Sequence, residues 1–411
     1  LEVNRHILAN GLRMAHVYDP STAMVAVDVM YDVGSRDERP DLTGMAHLFE
    51  HLMFGGSAHV ADFDARLSAA GGISNAWTSN DFTNFYIMLP AVNLSTALWL
   101  ESDRMLALDC SERALRVQQS VVTEEFKQVC LNQPYGDLDH RLRELAFTVH
   151  PYRTPVIGKD FSHIERVTTR DVEQWFQSHY SPDNAVITIC GNVSFDDAVE
   201  QVERYFGDIP RRPKAPRTYA PEPEQTEARS LVVSGPVPQT ALRLVFPMEA
   251  YGTRGYFEAD TLSDILANGR SSRLYRELVL GSGLFTSVDA SILGTEEPGF
   301  FMVSAKLTGH GDDAERKAVE AITAQLQRLA TEAPAERELQ RCVNLLESNH
   351  TFNNLNCLAQ AQTVALAEMH RENPDDFMLP YRAHTPERLR LAAASLFRPD
   401  RASLLIYRPL P

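Results

Sequence analysis

The chain has 411 residues, 44% of them hydrophobic and 23% charged, a balance that argues against wholesale disorder and against a membrane protein, and no apolar run approaches the roughly 18 residues of a spanning helix. A formal net charge of −16 argues against a nucleic-acid surface, which needs a basic stripe; the acidity serves solubility and would favour basic peptides. At roughly 100–200 residues per domain the length gives two or three domains, and two are expected.

In chain order, two strands are expected between Leu12 and Asp32, broken at the turn sequence Asp19-Pro20-Ser21. Asp41-Leu42-Thr43-Gly44 then offers capping oxygens to a short helix that stops at Gly55-Gly56. Helical patterns follow at about Asp62–Ala70, Val92–Leu108, Ser111–Val129, Leu138–Thr148, Thr169–His179 and Phe195–Phe206, with a strand at Ala185–Cys190. Pro210, Pro213, Pro216, Pro221 and Pro223 fall within fourteen residues. They mark 210–230 as an extended linker, a semi-rigid strap between an N-terminal domain 1–209 and a C-terminal domain 231–411.

Beyond the linker the sequence repeats itself. Strand-like Thr240–Phe246 leads to 259–269, which overlays 46–56 without a gap. The apolar positions agree, while His47, Glu50 and His51 become Asp260, Ser263 and Asp264. The second copy is expected to keep the scaffold without a metal site, and helices at Asp313–Ala330, Ala335–Ser348 and Leu355–Arg371 extend it. Five cysteines, Cys110, Cys130, Cys190, Cys342 and Cys357, contain no Cys-x-x-Cys pair. They read as reduced thiols, with Cys190 buried in an apolar strand.

The run His47-Leu48-Phe49-Glu50-His51 carries the chemistry. Residues four apart on a helix lie one above the other, so His47 and His51 can direct ring nitrogens at one metal ion with Glu50 beside them, as zinc hydrolysis requires. His-x-x-Glu-His is the inverzincin order. A catalytic zinc takes three protein ligands and keeps one position for water. Val121-Val122-Thr123-Glu124-Glu125-Phe126 supplies two acids on a long helix, and because neighbours there point about 100° apart only one can face the site. Periodicity leaves open which.

Together with Gly71-Gly72-Ile73-Ser74-Asn75-Ala76-Trp77-Thr78-Ser79, Val121–Phe126, His150-Pro151-Tyr152 to Gly158, and Gly269–Leu274, this motif resembles the pitrilysin/insulinase family of zinc metallopeptidases. The likeness is to short two-domain bacterial members akin to the mitochondrial processing peptidase beta subunit. It implies an α+β fold of two homologous domains, each a mostly antiparallel sheet packed with helices, forming half of a clamshell. It implies one Zn2+ per chain held by His47, His51 and Glu125, with Glu124 as the alternative, and Glu50 as general base taking a proton from zinc-bound water. Gln118 stands where the family carries a supporting glutamate, a departure expected to weaken metal binding without abolishing it. Asn75, Ala76 and Trp77 correspond to the edge strand that receives a peptide by β-augmentation.

The implied activity is endopeptidase cleavage of peptides or unstructured protein segments inside a closed chamber. Family members with one complete active site present an arginine and, seven residues later, a tyrosine from the second repeat; Val279 and Thr286 occupy these positions and cannot donate to an oxyanion. The missing donors are expected from a partner, with a heterodimer with a homologous subunit favoured over a homodimer; substitution in cis by Tyr275 or Arg276 is the alternative. A second reading is a non-catalytic or weakly active subunit of such an assembly. The intact Glu50 argues against it, since a structural zinc site has no use for a free carboxylate. No leader peptide is expected within the sequence from Leu1 onward, a removed one staying open, and a bacterial cytoplasmic setting is expected ahead of a periplasmic one.

Overall fold

Six strands build the first sheet: β1 (Asn4–Ile7), β2 (Arg13–Tyr18), β3 (Met24–Tyr31), β4 (Ile73–Thr78), β5 (Thr83–Pro90) and β6 (Ala185–Gly191), in the order β1-β2-β6-β3-β5-β4. β2 runs parallel to β6 and every other pair is antiparallel. β6 is buried along its whole length, which explains why its sequence is a continuous apolar run instead of an alternation. The computed structural model describes residues 1–214 and 216–410, which divide into two compact units: Leu1–Lys127 with Pro155–Thr218 and His350–Phe377, and Gln128–Thr154 with Tyr219–Asn349 and Met378–Pro411.

The second sheet contains β7 (Arg229–Gly235), β8 (Ala241–Pro247), β9 (Phe285–Leu293), β10 (Phe300–Leu307) and β11 (Ser403–Pro409), in the order β7-β11-β8-β10-β9. β7 and β11 are its one parallel pair. Strand for strand this is β2-β6-β3-β5-β4 again. The helix Met45–Leu52 lies between β3 and β4 in the chain, and the helix Arg254–Ala267 lies between β8 and β9, so the overlay of 46–56 on 259–269 has its counterpart in topology. A further repeat is visible only in the fold. Thr168 and Thr385 each cap an eleven-residue helix, Thr169–His179 and Pro386–Leu396. Each helix leads through an aromatic residue, Tyr180 or Phe397, and a Pro-Asp turn into the strand that joins the parallel pair. Trp175, packed in the first core, corresponds to Ala392. There the second unit keeps a cavity of about 350 Å3, bordered by Ala392, Leu396, Leu262 and Phe300.

Two helices are exchanged between the halves of the sequence, each belonging to the unit built from the other half's strands. Leu138–Ala146 packs on β11, β8 and β7, its Leu138 and Leu142 joining Val245, Leu405 and Tyr407. Cys357–His370 packs on β3, β6 and β2, its Cys357, Ala361 and Val364 joining Ala15, Val17, Ala26 and Cys190. Because those strands are counterparts, the exchange is reciprocal. A division of the chain in sequence order at 210–230 places neither helix with the sheet it covers.

Residues 207–228 carry neither helix nor strand among the described residues, and side chains pin them as firmly as the prolines do. In the first unit Arg212 donates to the carbonyls of Met105 (3.0 Å) and Leu106 (2.8 Å), and Arg217 to Asp37 and Asp32, both at 2.7 Å. In the second, Glu222 accepts from the backbone N–H groups of Thr148 (2.7 Å), Val149 (2.9 Å) and His150 (2.9 Å).

Under the helix Cys357–His370 lies an uncompensated carboxyl. Asp28 is fully buried on β3 and shares a face with Ala26 and Met30, which pack on that helix. One of its oxygens accepts from Asn84 Nδ2 at 2.9 Å; Oδ1 and the nearby Thr188 Oγ1 have no partner among the described residues. Burial pushes its pKa up to about 8, with Asn84 pulling the other way. The folded value lies above the unfolded one of about 3.9, so the folded state binds the extra proton, and stability falls as pH rises through that window. Asp28→Asn should flatten this fall, read as the difference in denaturation midpoint between about pH 5 and about pH 8; an unchanged difference would show that Asp28 is not its source.

Candidate metal centre

The helix Met45–Leu52 buries Met45, Ala46, Leu48, Phe49 and Leu52 and leaves His47, Glu50 and His51 half-exposed on one side. Its start differs from the expected cap. Gly44 turns in at φ 87° with no side-chain cap, and the carboxylate of Glu38 accepts from Gly44 N (2.8 Å) and Ala46 N (2.9 Å). Asp41 pairs instead with Arg39, and the Thr43 hydroxyl accepts from Lys159 N. A left-handed turn at 44 brings the helix amides to an acid six residues back, and a Cβ there would come within 2.6 Å of Ile164 Cδ1. Nothing in the sequence spacing singles out Glu38; only the positive φ at glycine hints at it.

The helix Glu112–Phe126, capped by Ser111, packs against the histidine helix. It supplies Glu125, whose Oε2 lies 3.4 Å from His51 Nε2 and 3.8 Å from His47 Nε2. Among the described residues His47, His51 and Glu125 form the one group of three or more such ligand types whose donor atoms all lie within 4.8 Å of one another. Glu124 points away, 73% exposed and bonded to Lys127 Nζ at 2.8 Å. The helix does not run on to Val129 as expected; after Phe126 it widens into a π turn over Lys127–Leu131, a distortion that frequents functional sites.

This donor set fits zinc. Bonds of roughly 2.0–2.2 Å in a tetrahedron hold donor atoms roughly 3.4 Å apart, close to the two carboxylate–imidazole distances. Burial lowers the pKa of His47 to about 4 and lowers that of His51, in each case against the nearby Glu125, a direction that favours the neutral ring that binds metal. The His47 Nδ1 atom is buried without a partner among the described residues. Burial raises the pKa of Glu50; the hydroxyl of Thr78, which donates to Glu50 Oε2, opposes the rise, and Glu125 adds to it. Gln118 is half-buried one helical turn before Val122. Its Nε2 lies 3.6 Å from the Cβ position of Gly55 and makes no hydrogen bond to either histidine among the described residues. A basic carboxylate at that position would orient a ligand better than this amide does.

β4 is the outer strand of its sheet. Ile73, Asn75 and Trp77 face outward, and Ser74, Ala76 and Thr78 face the other way, half-buried. Trp77 is therefore no core residue, and the strand, whose Ala76 N–H donates to Asn75 Oδ1 at 2.9 Å, has no strand on its outer side among the described residues and touches the histidine helix. In the second unit Asp260 accepts from Tyr381 Oη at 2.8 Å, Asp264 from Asn268 Nδ2 at 2.7 Å, and Ser263 donates to the carbonyl of Asp260. The copy of the histidine helix has become scaffold.

Comparison with known proteins identifies the family. Residues 13–160 match the family model of insulinase, peptidase family M16, and residues 166–346 match that of the peptidase M16 inactive domain. The chain is 30% identical over 341 residues to zinc protease PqqE of Helicobacter pylori, covering 81% of this chain and 76% of that protein. It superposes on the crystal structure of a protease from Helicobacter pylori with a TM-score of 0.92 at 26% identity, over 99% of this chain and all of the other. Pitrilysin shares the fold, with a TM-score of 0.82 at 17% identity, over 99% of this chain and 45% of pitrilysin. No helix among the described residues is long and apolar enough to cross a membrane. With His47, His51 and Glu125 inside the stretch that matches the insulinase model and a 30% identical zinc protease aligned over 81% of the chain, the chain belongs to peptidase family M16, the insulinase family.

Proposed function

We propose that this chain is a zinc-dependent endopeptidase acting on extended or unstructured segments of polypeptide. The observation that carries the reading is the meeting of His47, His51 and Glu125 across two helices, with Glu50 on the same exposed side. When bound, zinc supplies an acidified water and a polarised scissile carbonyl. Glu50 takes the water's proton and returns it to the leaving amine. The outer edge of β4 at Asn75, Ala76 and Trp77 receives a substrate strand by main-chain hydrogen bonds, the substrate taking over the Ala76 N–H that Asn75 Oδ1 accepts at 2.9 Å in its absence.

Purified protein should hold one zinc per chain and cleave a quenched peptide in a chelator-sensitive manner. Glu50→Gln should retain zinc and lower turnover by at least about 100-fold. Glu125→Gln should lose zinc while Glu124→Gln keeps it. Turnover at the original rate in Glu50→Gln, or zinc retained at full affinity in Glu125→Gln, would refute the assignment of that residue.

The reading extends to a partner. Val279 lies in the turn Tyr275–Leu280, and Thr286 is exposed on β9 with its hydroxyl donating to the Lys306 carbonyl. Neither is a cationic or phenolic donor, so a homologous subunit supplies the arginine and tyrosine and closes the chamber. Isolation from the native source should bring such a subunit along. Full activity of the lone chain would oppose this.

A further inference from the structure

A helix fixes where a glutamate begins and leaves its carboxylate loose, because the last torsion of the side chain is broad and two-fold. A base that must meet one water in one orientation needs a second hold. We propose that Thr78 is that hold: it positions the carboxylate of Glu50, a role that rests on the reading of Glu50 as the base. The Thr78 hydroxyl donates to Glu50 Oε2, which leaves Oε1 to receive the proton.

The hydroxyl is itself anchored from outside the histidine helix. Thr78 ends β4 opposite Thr83 of β5, and Thr83 Oγ1 donates to the Val33 carbonyl at 2.9 Å. The hairpin tip beyond it is clamped by Ser35 N to Ser79 O (3.2 Å), Arg36 N to Asn80 O (2.9 Å), Asn80 Nδ2 to Ser35 Oγ (2.8 Å) and the buried ion pair of Arg36 with Asp81 (3.0 Å). Gly34 permits this approach, since a Cβ there would lie 2.4 Å from the Asn80 carbonyl oxygen. One strand thus carries both the edge proposed for the substrate and the hydroxyl that aims the base.

The test compares Thr78→Val, Thr78→Ser, Glu50→Gln and the double variant Thr78→Val/Glu50→Gln in the full chain, with any subunit that co-purifies, on a quenched peptide. Thr78→Val should lower kcat by about 10- to 100-fold, a part of what a positioned base contributes, with KM, zinc content and thermal midpoint unchanged. Thr78→Ser should restore kcat to within about threefold, and in the Glu50→Gln background Thr78→Val should add no further loss. Thr78→Val at or near the original kcat, with Glu50→Gln inactive, overturns the role of Thr78 alone. A Thr78→Val that loses zinc or shifts its midpoint along with its rate overturns it too, in favour of a structural role. A fully active Glu50→Gln instead removes the reading of Glu50.

Discussion

Residues 1–209 produced alone should fail to give a cooperative thermal transition and should bind a hydrophobic dye. The fragment lacks Cys357, Ala361, Val364 and Ala365, so Ala15, Val17, Ala26, Met30, Phe82 and Cys190 lose the helix that buries them. At roughly 0.8 kcal/mol per buried CH2, the loss rivals the about 5–15 kcal/mol that holds an ordinary domain together. The same fragment carries the helix Leu138–Ala146 with its apolar side bare, because its packing partners Val245, Leu405 and Tyr407 are missing. Supplying residues 350–377 through a flexible linker should restore cooperativity. A fragment that melts sharply at the midpoint of the whole chain would refute the dependence.

Arg104→Met should cost about 3–5 kcal/mol, the largest single-residue loss of stability expected here. Arg104 and Glu101 are both fully buried, joined by two hydrogen bonds of 2.9 and 2.5 Å. The guanidinium also lies 4.5 Å from the ring centre of Phe85 and 4.9 Å from that of Phe63. Its Nη1 donates to the carbonyl of Met53, the residue that ends the histidine helix. Removing the arginine strands a carboxylate in the core, whereas replacing both partners by apolar residues leaves no orphan charge. Glu101→Leu/Arg104→Met should therefore recover much of the loss in chemical denaturation. A single variant within about 1 kcal/mol of the original would show that the pair is a surface-like one in energetic terms.

The sequence was legible where local rules decide. Ser111 before Glu112 and Thr168 before Thr169 signal helix starts, and both cap through their hydroxyls. The apolar run at Ala185–Gly191 signals a strand buried on both faces. The overlay of 46–56 on 259–269 was visible because helix and glycine stop are both kept. The repeat of Thr168–Ala185 at Thr385–Ala402 is not legible in the sequence, since little beyond the capping threonine and the Pro-Asp turn survives to mark it. The roles of Glu38 and Thr78 are illegible for a different reason. Each reaches the histidine helix through a fold-level approach, a left-handed turn in one case and a clamped hairpin in the other, and no periodicity encodes that. The choice between Glu124 and Glu125 likewise depends on how the helix Glu112–Phe126 is rotated against its neighbour, a tertiary property.

The exchanged helix has a bearing on synthesis. A domain whose strands lie early in a chain ordinarily folds while the remainder is still being translated. Here the sheet behind His47 and His51 stays open on one side until residues up to Phe377 have left the ribosome. Nascent chains therefore carry His47, His51 and Glu125 long before they carry the helix that covers the far face of the sheet behind them.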